Sequence, residues 1–316
     1  MKVFVAGATG ALGMPLVPRL VAAGAEVTGM TRTPAKQDEV RKLGARPVVA
    51  DALDPDAVGQ AVGAARPDVV VHQLTALSGV LDLRHFERAL APTNRLRTEG
   101  TDNLLAAARA AGVERFVAQS FAGWPYARSG GPVKTEDDPL DPAPVAAMRS
   151  THDAIRHLED VVTGAAWTVG IVLRYGGFYG PGTGLSAGGE HAELLRKRKF
   201  PIVGGGAGVW SFIHIEDAAD ATVAAIERGH RGIYNVVDDE PARVADWLPV
   251  AARAVGGKPP RRVPRAIGRL VAGAAATAMM TDVRGASNAK AKRELGWAPA
   301  HPSWRESFVE LRTVAA

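Results

Sequence analysis

Three glycines, Gly7, Gly10 and Gly13, stand three residues apart in Gly7-Ala8-Thr9-Gly10-Ala11-Leu12-Gly13, directly after the apolar run 2–6. Glycine lets a backbone turn tightly and approach a pyrophosphate with no Cβ in the way. A helix that starts at such a turn offers free N–H groups and the positive end of its dipole. Together with Thr9, Ala11 and Leu12, the triplet reads as a cradle for the pyrophosphate of a dinucleotide. A second group, Thr31-Arg32-Thr33-Pro34-Ala35-Lys36, closes the second strand candidate. A carboxylate at that place would hydrogen-bond the adenosine ribose of NAD. Arg32 instead suits a bidentate pair with a 2′-phosphate, and Lys36 adds charge, so NADP(H) is expected in preference to NAD(H).

Candidate proton carriers cluster at strand ends. Ser120 ends the fifth strand candidate, Tyr126 lies just beyond it, and Tyr175 follows Arg174 at the end of the sixth. Ligands of an open parallel sheet lie outside the carboxyl ends of its strands, which places all three hydroxyls toward a nicotinamide. His152 joins them because an imidazole exchanges protons near neutral pH. Trp124, Tyr126, Tyr175, Phe178 and Trp210, with the Met279-Met280 pair, suit a hydrophobic or aromatic small molecule. His191, among Gly188, Gly189 and Glu190, is placed at the same pocket. His191 and Glu193 lack the spacing of a zinc site, and no metal is expected.

These residues need a scaffold. Strand candidates at 2–6, 26–30, 46–50, 68–72 and 115–120 alternate with helical patterns such as 34–43 and 94–111. Continuous apolar strands separated by helices mean a parallel sheet covered on both faces, a doubly wound α/β fold of the Rossmann type. Pro18 inside the first helix removes one backbone hydrogen bond and predicts a kink. The stretch 121–148 is rich in Gly, Pro and Asp and reads as a functional loop. A helix at 149–162 and a strand at 167–174 follow. Residues 1–174 form the expected dinucleotide-binding domain. Residues 175–316 form mostly a smaller substrate-binding lobe, with about 209–240 returning to the core.

The order of motifs resembles the extended branch of the short-chain dehydrogenase/reductase superfamily, the NAD(P)-dependent epimerase/dehydratase group. The Gly-x-x-Gly-x-x-Gly spacing carries the likeness first. Asp51-Ala52-Leu53-Asp54 is similar to the family's segment beside adenine, and Gln73-Leu74-Thr75-Ala76 to the turn flanking the cofactor after strand four. Asn94 with Gly100-Thr101-Asp102-Asn103-Leu104-Leu105 resembles its fourth-helix signature. Glu136-Asp137-Asp138-Pro139-Leu140-Asp141-Pro142 is similar to its active-site loop. Arg174 with Tyr179-Gly180-Pro181-Gly182, then His214-Ile215-Glu216-Asp217, and finally Leu295-Gly296-Trp297 resemble later signatures. The resemblance implies cofactor contacts from Asp51, Ala52, Leu74, Thr75, Asn94, Ser120, Tyr175 and Phe178. It also implies a homodimer through helices 94–111 and 149–162.

In that family a Tyr and a Lys four residues later share one helix face, and the ammonium lowers the phenol's pKa for proton transfer. Here Met148 stands at the Tyr position and His152 at the Lys position. No Tyr lies between Tyr126 and Tyr175, and no Lys between Lys134 and Lys197. The dyad is absent, as in atypical members. The stretch Val209-Trp210-Ser211-Phe212 has no Arg for a nucleotide diphosphate, which argues against a nucleotide-sugar substrate.

Composition bounds the rest. The 316 residues are 47% hydrophobic and contain no Cys, which excludes disorder, a disulfide scaffold and thiol nucleophiles. The net charge of +5 is mild, and Arg196-Lys197-Arg198-Lys199 reads as a solvated helix end. The longest weakly polar stretch, 266–281, is too short to span a bilayer. The expected setting is the cytoplasm, with neither nucleic acid nor a membrane as partner. The expected function is NADP(H)-dependent reduction or oxidation of a carbonyl or alcohol. The alternatives are a redox-neutral epimerase, lyase or cyclase, and an NADP(H)-sensing regulator.

Overall fold

The computed structural model describes residues 1–77, 79 and 82–308. Seven parallel strands form the central sheet: β1 (Lys2–Ala6), β2 (Glu26–Thr31), β3 (Arg46–Val49), β4 (Val69–His72), β5 (Arg115–Phe121), β6 (Val169–Tyr175) and β7 (Gly232–Val236). Their order is β7-β6-β5-β4-β1-β2-β3. The chain runs one way from β1 to β3 and the other way from β4, so the carboxyl ends of β1 and β4 flank the switch point where such folds bind ligands.

Strand side chains alternate between two cores. Val3 and Val5 enter one apolar cluster with Val69, Val71, Ile171 and Leu173, while Phe4 and Ala6 enter the other with Val70, Phe116 and Val172. That is why these strands read as unbroken apolar runs: both faces are covered.

The helices that cover them are α1 (Gly13–Ala22), α2 (Gln37–Lys42), α3 (Pro55–Ala65), α4 (Phe86–Arg97), α5 (Glu99–Ala110), α6 (Arg149–Gly164), α7 (Glu190–Arg196), α8 (Ile215–Arg228), α9 (Val244–Ala254) and α10 (Arg265–Thr281). Helix α1 passes Pro18 and continues to Ala22. The single helix expected over 94–111 is two. Thr98 (φ −96°, ψ −87°) breaks it, and its hydroxyl donates back to the Asn94 carbonyl at 3.0 Å, a side-chain bond that competes with the helical ladder.

The lobe beyond β6 packs on Phe212, Trp247, Trp304 and Phe308. Short parallel strands Ile202–Val203 and Arg262–Val263 pair within it. Helix α10 is broken at Gly273, whose φ of 90° belongs to glycine. Its second half packs Ala275, Ala278 and Met279 against Trp124 and Met148. Among the described residues no helix is long and apolar enough to cross a membrane.

Candidate active site

The glycine turn joins β1 to α1 at the switch point. Gly7 has φ 98°, and a Cβ there would lie 3.0 Å from the Gln73 carbonyl oxygen. A Cβ on Gly13 would fall 2.3 Å from the Gly7 carbonyl oxygen, so helix and turn pack too closely for alanine. Gly10 and Ala11 are exposed at the lip, Thr9 is half-buried, and the Leu12 side chain enters the core, leaving only its backbone for a ligand. No side chain caps α1 and no acidic residue sits in its first turn. The cradle therefore presents unoccupied N–H groups and an uncompensated positive dipole end, which fits a dinucleotide pyrophosphate.

At the adenosine side, Arg32 and Lys36 are exposed just past β2, and Thr31 steadies the turn by accepting from the Thr33 N–H at 3.2 Å. Asp51 is half-buried and accepts from the Leu53 N–H at 3.0 Å, and Asn103 donates to the Ala52 carbonyl at 2.9 Å. The Leu74 N–H donates to His72 Nδ1 at 3.2 Å, which leaves His72 Nε2–H for Thr101 Oγ1 at 3.1 Å. Burial pulls His72 down to about 4, so the ring is neutral. The next turn, with half-buried Thr75, is tied to α4 by the Ala76 N–H donating to Thr93 Oγ1 at 3.1 Å.

Met148 is buried where the phenol would stand. One helical turn on, buried His152 donates from Nε2 to the Pro125 carbonyl at 2.8 Å, because that oxygen only accepts. Its Nδ1 is buried without a partner. Asn94 donates to Thr151 Oγ1 at 3.0 Å and leaves its Oδ1 unpaired; Gln73 Oε1 is likewise unpaired. These buried polar atoms are free to meet hydrogen-bonding groups of a ligand.

The hydroxyls expected as proton donors are engaged elsewhere. Ser120 Oγ donates to Glu159 at 2.7 Å. Glu159 also receives a fork from Arg174, whose third nitrogen donates to the Tyr126 hydroxyl at 3.0 Å. Tyr126 in turn donates to Asn235 Oδ1 at 2.5 Å, and the Arg174 guanidinium lies 4.9 Å from the centre of its ring. Burial pushes the Tyr126 phenol up to about 12, with the Arg174 charge opposing. The Tyr175 hydroxyl donates to Thr222 Oγ1 at 2.7 Å, since the Thr222 hydroxyl itself donates to the Ala218 carbonyl, and it accepts from Gln73 Nε2 at 3.5 Å; burial raises it too. Neither phenol is poised to ionise.

The apolar wall expected from seven side chains divides. Trp124 and Trp210 border one cluster with Met148 and Met279, and Trp210 Nε1 donates to the Met279 carbonyl at 2.8 Å. Phe178 is half-buried 5.5 Å from the Tyr175 ring, on the α1–α8 side. Tyr126 belongs to the polar network instead. His191 is half-buried at the start of α7 beside Gly184, and burial lowers its pKa. Glu193 pairs with Arg196 and Lys197, away from it. His214, Asp217 and His301 cluster, but Asp217 accepts from the Ala300 and His301 N–H groups and so fastens the C-terminal segment to α8.

Sequence reasoning missed Glu159, His72 and Arg97, and named Gln73 only as part of the turn flanking the cofactor. Arg97 is buried near Glu159 and is lowered to about 10 by that burial, with the Glu159 carboxylate opposing. Glu159 was findable: it falls on the buried face of α6 in step with His152, Ile155 and Val162.

Residues 3–236 match the NAD dependent epimerase/dehydratase family. The chain belongs to that family. It is 48% identical to a 3-diazoavenalumate denitrifying reductase of a Streptomyces species over 98% of this chain and 99% of that one. It is 27% identical to a 4-hydroxy-2-methyl-3-oxo-4-farnesyl-3,4-dihydroquinoline-1-oxide ketoreductase of Stigmatella aurantiaca, over 82% and 74% of the two chains. Among solved structures, the UDP-glucose 4-epimerase of Thermotoga maritima superposes with a TM-score of 0.76 at 21% identity, covering 99% of this chain and 97% of that one. A human epimerase family protein solved with NADPH gives 0.75 at 22% identity, over 99% of both chains. Those two likenesses establish the fold. With the family and its reductase relatives, the chain is an NAD(P)-dependent oxidoreductase.

Proposed function

We propose that this protein is an NADPH-dependent reductase that exchanges the diazonium group of an aromatic compound for hydride and releases N2. One observation carries the reading: among the described residues the cofactor cradle stands without the Tyr/Lys dyad, and both nearby phenols are tied into buried hydrogen bonds. Met148 replaces the phenol, His152 gives its Nε2–H to the Pro125 carbonyl, and Tyr126 and Tyr175 are locked by Asn235 and Thr222. NADPH, when bound, supplies a hydride. A ketone needs that hydride and a proton, whereas a diazonium group exchanged for the hydride leaves R–H and N2 in charge balance with no proton from the protein. The diazo carboxylate in the name of the Streptomyces relative supports the substrate class.

The chain's residues do the remaining work. Trp124, Trp210 and Met279 offer an apolar wall, and the unpaired polar atoms of Asn94, Gln73 and His152 orient hydrogen-bonding groups of a ligand. Arg32 and Lys36, with no carboxylate in their turn, support NADPH over NADH. The reading includes a cytoplasmic location and a homodimer through α4 to α6. The alanines Ala107, Ala108 and Ala154 are buried within one chain, so such a contact would use the charged outer face of Arg95, Glu99, Asp153 and Arg156.

Anaerobic turnover of an arenediazonium carboxylate tests it. NADPH oxidation matched by N2 release is the expected result. Steady reduction of ketones with no N2 from any diazo compound would overturn it in favour of a ketoreductase.

A further inference from the structure

Two basic stretches of the smaller lobe lie together. Arg196, Lys197, Arg198 and Lys199 close α7, and Lys258, Arg261, Arg262, Arg265 and Arg269 follow in the later segment. The fold brings these stretches together. Arg198 Nε donates to the Pro259 carbonyl at 2.7 Å, and the Ile202 N–H donates to the Arg261 carbonyl at 2.8 Å. Among the described residues, two carboxylates pair with these nine cations: Glu193 with Arg196 and Lys197, and Asp282 with Arg265. The remaining charge exceeds the +5 of the whole protein.

An apolar stripe rises from the same face. Ile267, Leu270 and Val271 are 50%, 78% and 65% exposed, and their spacing puts them on one side of the first half of α10. Gly268 faces inward, where a Cβ would meet Val203 at 2.5 Å. Single exposed aliphatic residues need no explanation, but an aliphatic stripe bordered by cations is the pattern of a helix that lies in a bilayer interface.

From this surface we infer that the protein docks peripherally on an anionic lipid bilayer, with Ile267, Leu270 and Val271 entering the interface and the surrounding cations meeting headgroups. A second copy of the chain would bring like charge against like. A nucleic acid would use the cations and leave the aliphatic side chains in water. The bilayer uses both. Beyond Gly273 the same helix continues to Met279 beside Trp124, so an apolar substrate held in the bilayer would reach the cleft along it.

Co-sedimentation of the full chain with vesicles tests the inference. Binding is expected to phosphatidylglycerol mixed into phosphatidylcholine, and to fall at high salt and with phosphatidylcholine alone. Leu270→Ser with Val271→Ser, and separately Arg261→Gln with Arg269→Gln, should each weaken it by about tenfold or more. NADPH binding, followed by fluorescence, should stay unchanged in both variants and shows that they fold. No binding to the anionic vesicles, or binding that both variants keep, overturns the inference. Binding to duplex DNA that fails only in the arginine variant, with none to vesicles, replaces it with a nucleic-acid surface.

Discussion

Arg174 of β6 and Glu159 of α6 form a buried fork, with Nε donating at 2.7 Å and Nη2 at 2.5 Å to the two carboxylate oxygens. Both side chains are almost wholly removed from water. The fork also collects Ser120 and Tyr126, so one ion pair fixes the ends of β5 and β6 and the start of the long loop. Breaking a buried pair leaves the other charge stranded. Glu159→Leu should cost about 3–5 kcal/mol in urea unfolding. Adding Arg174→Met should recover much of that loss. A single variant as stable as the parent would show that the pair does not hold the site.

Arg32 gives a cofactor test. A charged hydrogen bond is worth about 1.5–3 kcal/mol, so Arg32→Ala should weaken NADPH binding by roughly tenfold to a hundredfold. NADH binding, lacking the 2′-phosphate, should change little. Calorimetric titration of both cofactors checks this, and equal loss for both would place Arg32 away from the phosphate.

The two buried phenols separate proton donation from packing. Tyr126→Phe and Tyr175→Phe should each lower stability by about 1 kcal/mol, the value of a lost hydrogen bond. Turnover should stay within about threefold, because removing a general acid costs about a hundredfold or more. A hundredfold fall in kcat in a folded variant would make that phenol the donor.

His72 predicts an acid limb. Its pKa falls from 6.5 to about 4 on folding, so the unfolded chain binds the proton more readily. Its contribution is complete above pH 6.5 and is lost as pH falls from 6.5 toward 4, by about 3 kcal/mol in all. His72→Asn should flatten that limb in denaturation curves taken across this range. An unchanged limb would assign it to other groups.

The parallel sheet was legible because both faces of β1, β4 and β5 are buried, which leaves no polar alternation to confuse with a loop. The glycine cradle was legible because a tight turn and a close helix permit only one residue type. Pairings across the fold were not. Nothing in the chain order links Tyr126 to Asn235, 109 positions on, or Ser120 to Glu159. The hydroxyls therefore read as available when they are engaged. The basic run 196–199 does close a helix, but its neighbours at 258–269 join it through long-range contacts that chain order does not show, the Arg198–Pro259 hydrogen bond and the paired strands Ile202–Val203 and Arg262–Val263.

The glycine that breaks α10 has a consequence for how this protein can vary. Gly273 turns one helix into an outer segment in water and an inner segment against Trp124 and Met148. Substitutions at Ile267, Leu270 or Val271 leave the inner packing untouched, and changes at Met279 leave the outer face alone. Where the enzyme works and what it accepts are thus written on separate stretches of one helix, and each is free to drift without dragging the other with it.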